Sequence, residues 1–338
     1  MYRTRLTSGT TVSRRSLIAA FAAALSVSPF GPTRAATIYN GTVVGKAGWL
    51  YLVWDDPRRI DPRLLQRVTQ NIGRTVDALK SGGIDTVIAL VPAKARLYSE
   101  FTPDDFKFSS ESEPRYAIAL EALRASGALV PDLATFFTAL RKSEPTKQLY
   151  FKGDTHWTAF AAERAAVEIA RQMKEKLHLP ASAHPGTRFG GGATVLTAKG
   201  DLSEMLPKAM QKDFPAESYQ IPEVVVPKAR NALIEDDDAD VAVVGNSFMQ
   251  PKLDFAATLS NQLDRPVSLT WKVHTVGPYR VMLDYLGSES FKRRRPKVIV
   301  WNFHELDMMI LPDSDGAFPE DAMTSDAFLT QVRRMAKV

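Results

Sequence analysis

The sequence predicts an α/β fold, a three-layer α/β/α sandwich around a mostly parallel sheet. Two observations carry this. Short, nearly unbroken apolar runs at Ile84–Val91, Asp240–Val244 and Lys297–Phe303 read as strands buried on both faces. Segments with helical apolar spacing alternate with them through short connections, the pattern of strand-helix-strand units on a parallel sheet. The 338 residues suit one large domain or two modest ones, and no apolar run reaches the ~20 residues of a membrane-crossing helix.

The elements follow in order. Gly41–Leu52 reads as a hairpin-like lead-in. Arg63–Lys80 repeats apolar residues at Leu64, Leu65, Val68, Ile72, Val76 and Leu79, a helical stripe that Ser81-Gly82-Gly83 stops. The strand Ile84–Val91 comes next. Arg115–Ser126 reads as a helix, Ala128–Val130 as a short strand and Leu133–Lys142 as a helix. Gln148–Phe151 is a short extended piece before a long helix, Thr158–Leu177, with Thr158 as N-cap. Pro180–Pro227 is rich in Pro and Gly and reads as an irregular surface excursion. Strand Asp240–Val244, helix Leu253–Leu263, strand Val267–Val273, helix Tyr279–Leu286 and strand Lys297–Phe303 complete the alternation.

Charge and cysteine usage exclude several classes. The formal charge is +5, but residues 1–36 hold Arg3, Arg5, Arg14, Arg15 and Arg34 and no acidic residue. Taking those five from 43 basic residues leaves 38, against 38 acidic residues, so the body is neutral and nucleic-acid binding is not expected. The basic start, the Ala-rich stretch Leu17–Val27, and Thr33 and Ala35 at a cleavage site read as an export signal over residues 1–35. Paired Arg14 and Arg15 after Ser13 resemble a twin-arginine signal, which predicts a periplasmic mature chain over residues 36–338. The alternative is an uncleaved inner-membrane anchor. The absence of cysteine rules out disulfides, thiol catalysis, Fe–S clusters and thiolate zinc sites.

Two motifs can carry chemistry. Gly245-Asn246-Ser247-Phe248 directly follows a strand. A serine on a tight strand-to-helix turn is lifted off the sheet edge, where its hydroxyl is a nucleophile and neighbouring N–H groups can hold an oxyanion. Asn246 is the candidate second donor by its position. The alternative for Ser247 is a plain helix N-cap. The other motif is Asp154-Thr155-His156-Trp157, just ahead of a helix. An Asp two residues before a His can turn its carboxylate onto Nδ1 and leave Nε2 outward as general base. The alternative for His156 is a capping or core histidine. Of the other histidines, His178 ends a helix and His184 sits in a loop, so both read as solvated. No His-x-x-x-His and no second compact ligand cluster is present, so neither a metal nor a cofactor is expected. Both motifs lie beyond strand ends, where open α/β sheets place their sites. The order Asp, His, Ser and Met249 two residues after Ser247 disfavour the lipase-like G-x-S-x-G arrangement.

Together these residues resemble the AlgX/AlgJ family of alginate O-acetyltransferases, whose domain is related to SGNH hydrolases. Gly45-Lys46-Ala47-Gly48-Trp49-Leu50-Tyr51, Val91-Pro92-Ala93-Lys94 with Tyr98, Gly200-Asp201-Leu202-Ser203-Glu204-Met205-Leu206 and the run Trp301–Leu306 are similar too. The resemblance spans about residues 41–310. It implies Asp154, His156 and Ser247 as a catalytic triad in a circularly permuted SGNH arrangement, an acetyl-serine intermediate, and periplasmic O-acetylation of an exopolysaccharide. It also implies a membrane-bound O-acyltransferase as the partner that delivers acetyl. AlgX-type members carry a C-terminal carbohydrate-binding module. The short tail after the last strand here predicts the AlgJ-like, single-domain form. The rival functions are a carbohydrate acetylesterase with the same triad and a non-catalytic assembly protein of a polysaccharide acetylation complex.

Further positions have both a binding and a structural reading. Lys94, just past a strand end, is a candidate substrate contact. Tyr279 and Arg280, after Gly277-Pro278, are candidates for lining a sugar groove or are ordinary helix-start residues. His304-Glu305, following a strand end, reads as a structural polar pair, with a place at the border of the site as the alternative. Trp49, Trp54, Trp157, Trp271 and Trp301 are candidates for stacking on sugar rings, but most read as core. Glu235-Asp236-Asp237-Asp238 reads as a solvated turn, since it lacks calcium-loop spacing, and Arg293-Arg294-Arg295 as a solvated connection, with contact to an acidic polymer as the alternative.

Overall fold

A computed structural model describes residues 36–225, 239–314 and 321–337. The export signal expected over residues 1–35 and the acidic run Glu235–Asp238 lie outside the described residues.

Four parallel strands form the centre: β4 (Asp85–Val91), β7 (Val241–Gly245), β8 (Val267–Trp271) and β9 (Val298–His304), in the spatial order β4-β9-β7-β8. Their residues alternate between two cores. Ile88, Leu90, Ala242, Val244, Ile299 and Trp301 face one cluster, while Val87, Ala89, Val241, Val243, Val298 and Val300 face the other. That is why these runs are apolar at every position rather than at every second one. The first face is covered by α1 (Pro62–Ser81), α3 (Arg115–Ala125), α9 (Pro278–Leu286) and the short α10 (Glu289–Arg293). The second is covered by α4 (Leu133–Ser143), α5 (Ala159–Lys176) and α8 (Phe255–Leu263). The expected helix-sheet-helix layering is thus present. Each fully buried Val, Ile or Leu contributes about 1.5–3 kcal/mol relative to exposure.

Helix starts follow local chemistry. Asp61 caps α1 by accepting from Arg63 and Leu64 N–H, with Pro62 in the first turn. Thr158 caps α5 by accepting from Ala161 N–H, as its position predicts.

Four features differ from expectation. Pro180–Pro227 is not simply irregular: β5 (Arg188–Ala198) and β6 (Glu217–Val225) pair antiparallel, with the short helices α6 (Asp201–Met205) and α7 (Lys208–Gln211) between them. The register shifts between Phe189 and Ala193, where Gly190–Gly192 interrupt the side-chain alternation that marks a strand. Residues 128–130 contribute one parallel bridge, Val87 to Leu129, rather than a full strand. Beyond the last strand, α11 (Ser325–Ala336) packs Phe328, Leu329 and Val332 into the core beside α1. The N-terminal β1 (Thr37–Tyr39), β2 (Thr42–Val44) and β3 (Leu50–Leu52) make an antiparallel three-stranded sheet, one strand more than a hairpin. Among the described residues no helix is long and apolar enough to cross a membrane.

Candidate active site

The carboxyl ends of β4, β7 and β9 meet at one sheet edge, and each delivers a functional segment. Strand β7 ends at Gly245, where a Cβ would meet Asn302 Cβ at 2.7 Å and Met249 Cγ at 2.8 Å, so glycine is needed for the chain to turn there. Asn302, buried mid-strand in β9, accepts from Asn246 N–H at 3.3 Å and donates to the Ala89 carbonyl at 3.2 Å. The Asn246 side chain then caps the following 3₁₀ turn by accepting from Phe248 N–H at 3.0 Å. Ser247 opens that turn half-buried, and no partner for its N–H occurs among the described residues. Asn246 Nδ2 is also buried without a partner among them.

The Asp154–His156 segment is a tight excursion closed by a bridge between Tyr150 and Trp157 and by Thr158 N–H to the Leu149 carbonyl at 2.9 Å. Asp154 Oδ1 lies 2.6 Å from His156 Nδ1 and also accepts from His156 N–H at 2.9 Å. His156 Nε2 lies 2.8 Å from Ser247 Oγ. Trp157 joins the two motifs: its Nε1–H donates to the Phe248 carbonyl at 2.9 Å, and its ring packs on Phe248 and Phe255. The Asp154, His156 and Ser247 side chains therefore form one hydrogen-bonded line. Burial pushes the Asp154 carboxyl up, but the hydrogen bond and charge of His156 outweigh it and hold the group down at about 2.

A match to the family described as SGNH hydrolase-like domain, acetyltransferase AlgX, covers residues 42–305. The chain belongs to this family. A family relative, the probable alginate O-acetylase AlgJ of Pseudomonas fluorescens, is 30% identical over 273 residues, 78% of this chain and 68% of that protein. The solved O-acetyltransferase domain of Pseudomonas putida AlgJ aligns with a TM-score of 0.69 at 26% identity, covering 87% of this chain and 99% of that one. Pseudomonas aeruginosa AlgX shares the fold, with a TM-score of 0.62 at 21% identity over 87% of this chain and 66% of that one. The fold is SGNH hydrolase-like, and the family match runs from β2 to Glu305, through all three side chains of the line.

Three other candidates sit elsewhere than a substrate groove. Lys94 is buried at the start of α2 (Lys94–Leu97). Its Nζ donates to the Leu50, Lys152 and Asp154 carbonyls at 2.6, 2.9 and 2.9 Å, which uses all three hydrogens. Burial lowers its pKa to about 7 against the pull of Asp154. Its location fixes the Asp154 segment and leaves no donor for a sugar. Tyr279 is buried in the opposite core against Trp301, Phe303 and Phe328, and its hydroxyl donates to the Ile310 carbonyl at 2.9 Å. Arg280 is exposed and paired with Asp284 and Asp321. For both, the ordinary helix-start reading describes their surroundings.

The structural readings of the other positions also find physical partners. Glu305 is fully buried, accepts from Ala93 N–H at 3.0 Å and pairs with Arg96 at 2.7 Å and Arg115 at 3.0 Å. The His304 ring stacks on Phe248 at 5.0 Å, and the His156 ring lies tilted against Phe248 at the same distance. The Arg293–Arg295 run is not merely solvated. Arg294 reaches Asp240 at 3.1 Å, and Arg295 donates to the Met335, Ala336 and Lys337 carbonyls at the end of α11. Trp54 is exposed, whereas Trp49, Trp157 and Trp301 are buried.

Asp201 was visible in the sequence only inside the Gly200–Leu206 stretch, with no spacing to tie it to His156. Its Oδ1 accepts from Thr155 N–H at 2.7 Å and Thr155 Oγ at 3.1 Å, and its Oδ2 lies 3.8 Å from His156 Nδ1. The close approach requires Gly200, where a Cβ would fall 2.0 Å from the Gly153 carbonyl oxygen. Burial and the neighbouring Asp154 charge raise the Asp201 pKa. Asp154, His156 and Asp201 are also near enough together to hold a cation. A cation there would have to compete with the hydrogen bond between Asp154 and His156.

Proposed function

We propose that this protein is a periplasmic O-acetyltransferase that moves an acetyl group onto a polysaccharide hydroxyl through an acetyl-Ser247 intermediate. One observation carries the proposal: the continuous line from Asp154 Oδ1 to His156 Nδ1, and from Nε2 to Ser247 Oγ, at 2.6 and 2.8 Å. The names of the AlgJ relatives, probable alginate O-acetylases, support the reaction type.

In the first half-reaction Ser247 Oγ attacks the carbonyl carbon of an acetyl ester, and its proton passes to His156 Nε2. Asp154 stabilises the imidazolium and keeps Nδ1–H directed at itself. The carbonyl oxygen becomes an oxyanion, held by the Ser247 N–H and Asn246 Nδ2. These two donors belong to one turn and have no partner among the described residues. Collapse breaks the ester C–O bond, and the leaving oxygen takes the proton from Nε2. In the second half, Nε2 removes the proton of a sugar hydroxyl, whose oxygen attacks the acetyl-serine carbon. Ser247 departs with that proton, and the free enzyme is restored. The Asp-x-His segment precedes the serine segment in the chain, which fits a circularly permuted SGNH order.

The leader over residues 1–35 accounts for export, and a membrane-bound O-acyltransferase is the proposed acetyl supplier. The decisive experiment gives the exported protein an acetyl ester with and without an oligosaccharide acceptor. Acetylated oligosaccharide supports transfer. Free acetate alone in both reactions assigns the protein to esterases.

A further inference from the structure

Trp54 is 62% exposed, the one exposed aromatic side chain among the described residues. We propose that it is the stacking platform for a sugar ring of the acceptor, a ring that neighbours the unit being acetylated. The inference rests on the acetyl-transfer reading and adds the residue and the kind of contact that hold the acceptor.

Position comes first. Residues 53–61 run from β3 to α1 across the carboxyl end of β9. Asp55 Oδ2 stands 3.9 Å from Nε2 of His304, the last residue of β9, and Arg59 donates to the Met309 carbonyl just beyond it at 3.4 Å. The His304 ring in turn stacks on Phe248, the residue after Ser247. Trp54 also meets the segment that carries Asp201. A Cβ placed at Gly41 would lie 3.6 Å from Trp54 Cη2 and 3.1 Å from Met205 Cε, so the ring tip and the end of α6 stand over one turn. Met205 closes the short helix that Asp201 opens, about 6 Å along its axis at 1.5 Å per residue. Asp201 Oδ2 is 3.8 Å from His156 Nδ1. Both routes end on the reacting line, one beside Ser247 and the other at His156. The ring therefore stands at the rim of that line, on the open edge of the sheet.

Mounting comes second. Val53 N–H donates to the Gly41 carbonyl at 2.8 Å, and Asp55 N–H donates to the Leu52 carbonyl at 3.0 Å. Asp55 and Pro57 are buried. The backbone is thus held on both sides of Trp54 while the indole projects into solvent. A ring fixed in this way loses little freedom when a ligand covers it. Trp49, Trp157 and Trp301 fill the cores, whereas the fold draws little from the exposed face of Trp54.

Chemistry decides the ligand. A pyranose ring carries a flat face of polarised C–H bonds and a rim of hydroxyls. An indole offers a broad apolar face with negative charge density above it, which matches the C–H face. Stacking leaves the hydroxyls at the sugar's rim free for the reacting line.

The test measures equilibrium binding of a mannuronate hexamer calorimetrically on the exported chain carrying Ser247→Ala, so that no acetyl chemistry enters the result. Adding Trp54→Ala or Trp54→Leu should weaken binding at least fivefold. Adding Trp54→Phe instead, which keeps an aromatic face, should preserve most of the affinity. Ile118→Ala, at an exposed apolar residue of α3, should leave binding unchanged. Binding that ignores Trp54→Ala, equal affinities in the Phe and Leu variants, loss of binding in Ile118→Ala, or no binding of the hexamer at all overturns the platform. Because binding is read without turnover, failure of the platform is distinct from failure of the acetyl-serine reading, which would appear as no acetylation of Ser247 in the unsubstituted enzyme.

Discussion

The Lys94 ammonium donates a 2.9 Å hydrogen bond to the main-chain carbonyl of Asp154, the residue whose carboxylate meets His156. Its other two hydrogens go to the Leu50 and Lys152 carbonyls, so one buried cation ties β3 to both ends of the Lys152–Asp154 segment. The Trp49 and Tyr51 rings flank it at 5.3 and 5.4 Å. Lys94 therefore acts through Asp154 as a positioning residue.

Lys94→Met should lower kcat by at least tenfold while KM for a small acetyl ester changes little. The same substitution leaves buried carbonyls without donors, at about 1–3 kcal/mol for each one left unsatisfied. Steady-state kinetics and urea unfolding check both parts. A KM increase at constant kcat would instead return Lys94 to substrate contact.

Asp201 makes a second expectation. Asp201→Asn keeps an oxygen for Thr155 but removes the negative charge 3.8 Å from His156 Nδ1. The imidazolium formed during transfer loses part of its stabilisation, so kcat should fall, by less than in Asp154→Asn. The ratio of the two losses, from ester kinetics on folded variants, checks the ranking.

Much of this site was legible in the sequence, and the reason is local. Asp154 and His156 are two residues apart, so one turn of backbone brings their side chains together. Ser247 stands at the end of an apolar strand, where parallel sheets open their crevice. Thr158 announces the helix that follows. Long-range partners left no such trace. Nothing in the spacing ties Asp201 to His156 across 45 residues; the close approach of Gly200 to Gly153 and the hydrogen bonds of Asp201 with Thr155 and Asp154 bring them together. Lys94 reads as a substrate contact from its place just past a strand end, because a charged side chain is seldom buried and its three carbonyl partners come from two distant segments. The β5–β6 arm was hidden by Gly190–Gly192 and by the weak alternation of a pair exposed on much of its surface. Helix α11 carried a readable stripe at Phe328, Leu329, Val332 and Ala336, but its role depends on a groove beside α1 that no local pattern reveals.

Glu305 predicts acid sensitivity. Burial pushes its carboxyl up, but Arg96 and Arg115 prevail and hold it at about 2, below its ordinary 4.5. A lowered carboxylate contributes stability that is complete above pH 4.5 and is lost as pH falls through about 2. Glu305→Gln leaves two arginines without their buried counter-charge and should cost about 3–5 kcal/mol at neutral pH. Urea unfolding at neutral pH measures the cost, and an acid titration of stability should show a shallower decline in the variant.

Asp55 predicts the opposite slope. Burial raises its carboxyl from 3.8 to about 8, with Arg115 opposing. Between those values the folded chain holds a proton that the unfolded chain has released. This group therefore lowers stability as pH rises from about 4 to about 8, by up to about 1.4 kcal/mol per pH unit. Asp55→Asn removes the titration. Unfolding at pH 5 and pH 8 should give a smaller loss between the two conditions in the variant than in the unsubstituted protein, and equal losses would refute the assignment.

The acetyl-serine step is tested most directly by mass spectrometry of the protein quenched soon after mixing with 4-nitrophenyl acetate. The account predicts one added acetyl group on the peptide containing Ser247, absent in Ser247→Ala and slowed by several orders of magnitude in His156→Ala. Rapid release of nitrophenol with no acetyl on Ser247, or acetylation that proceeds unchanged without His156, would contradict it.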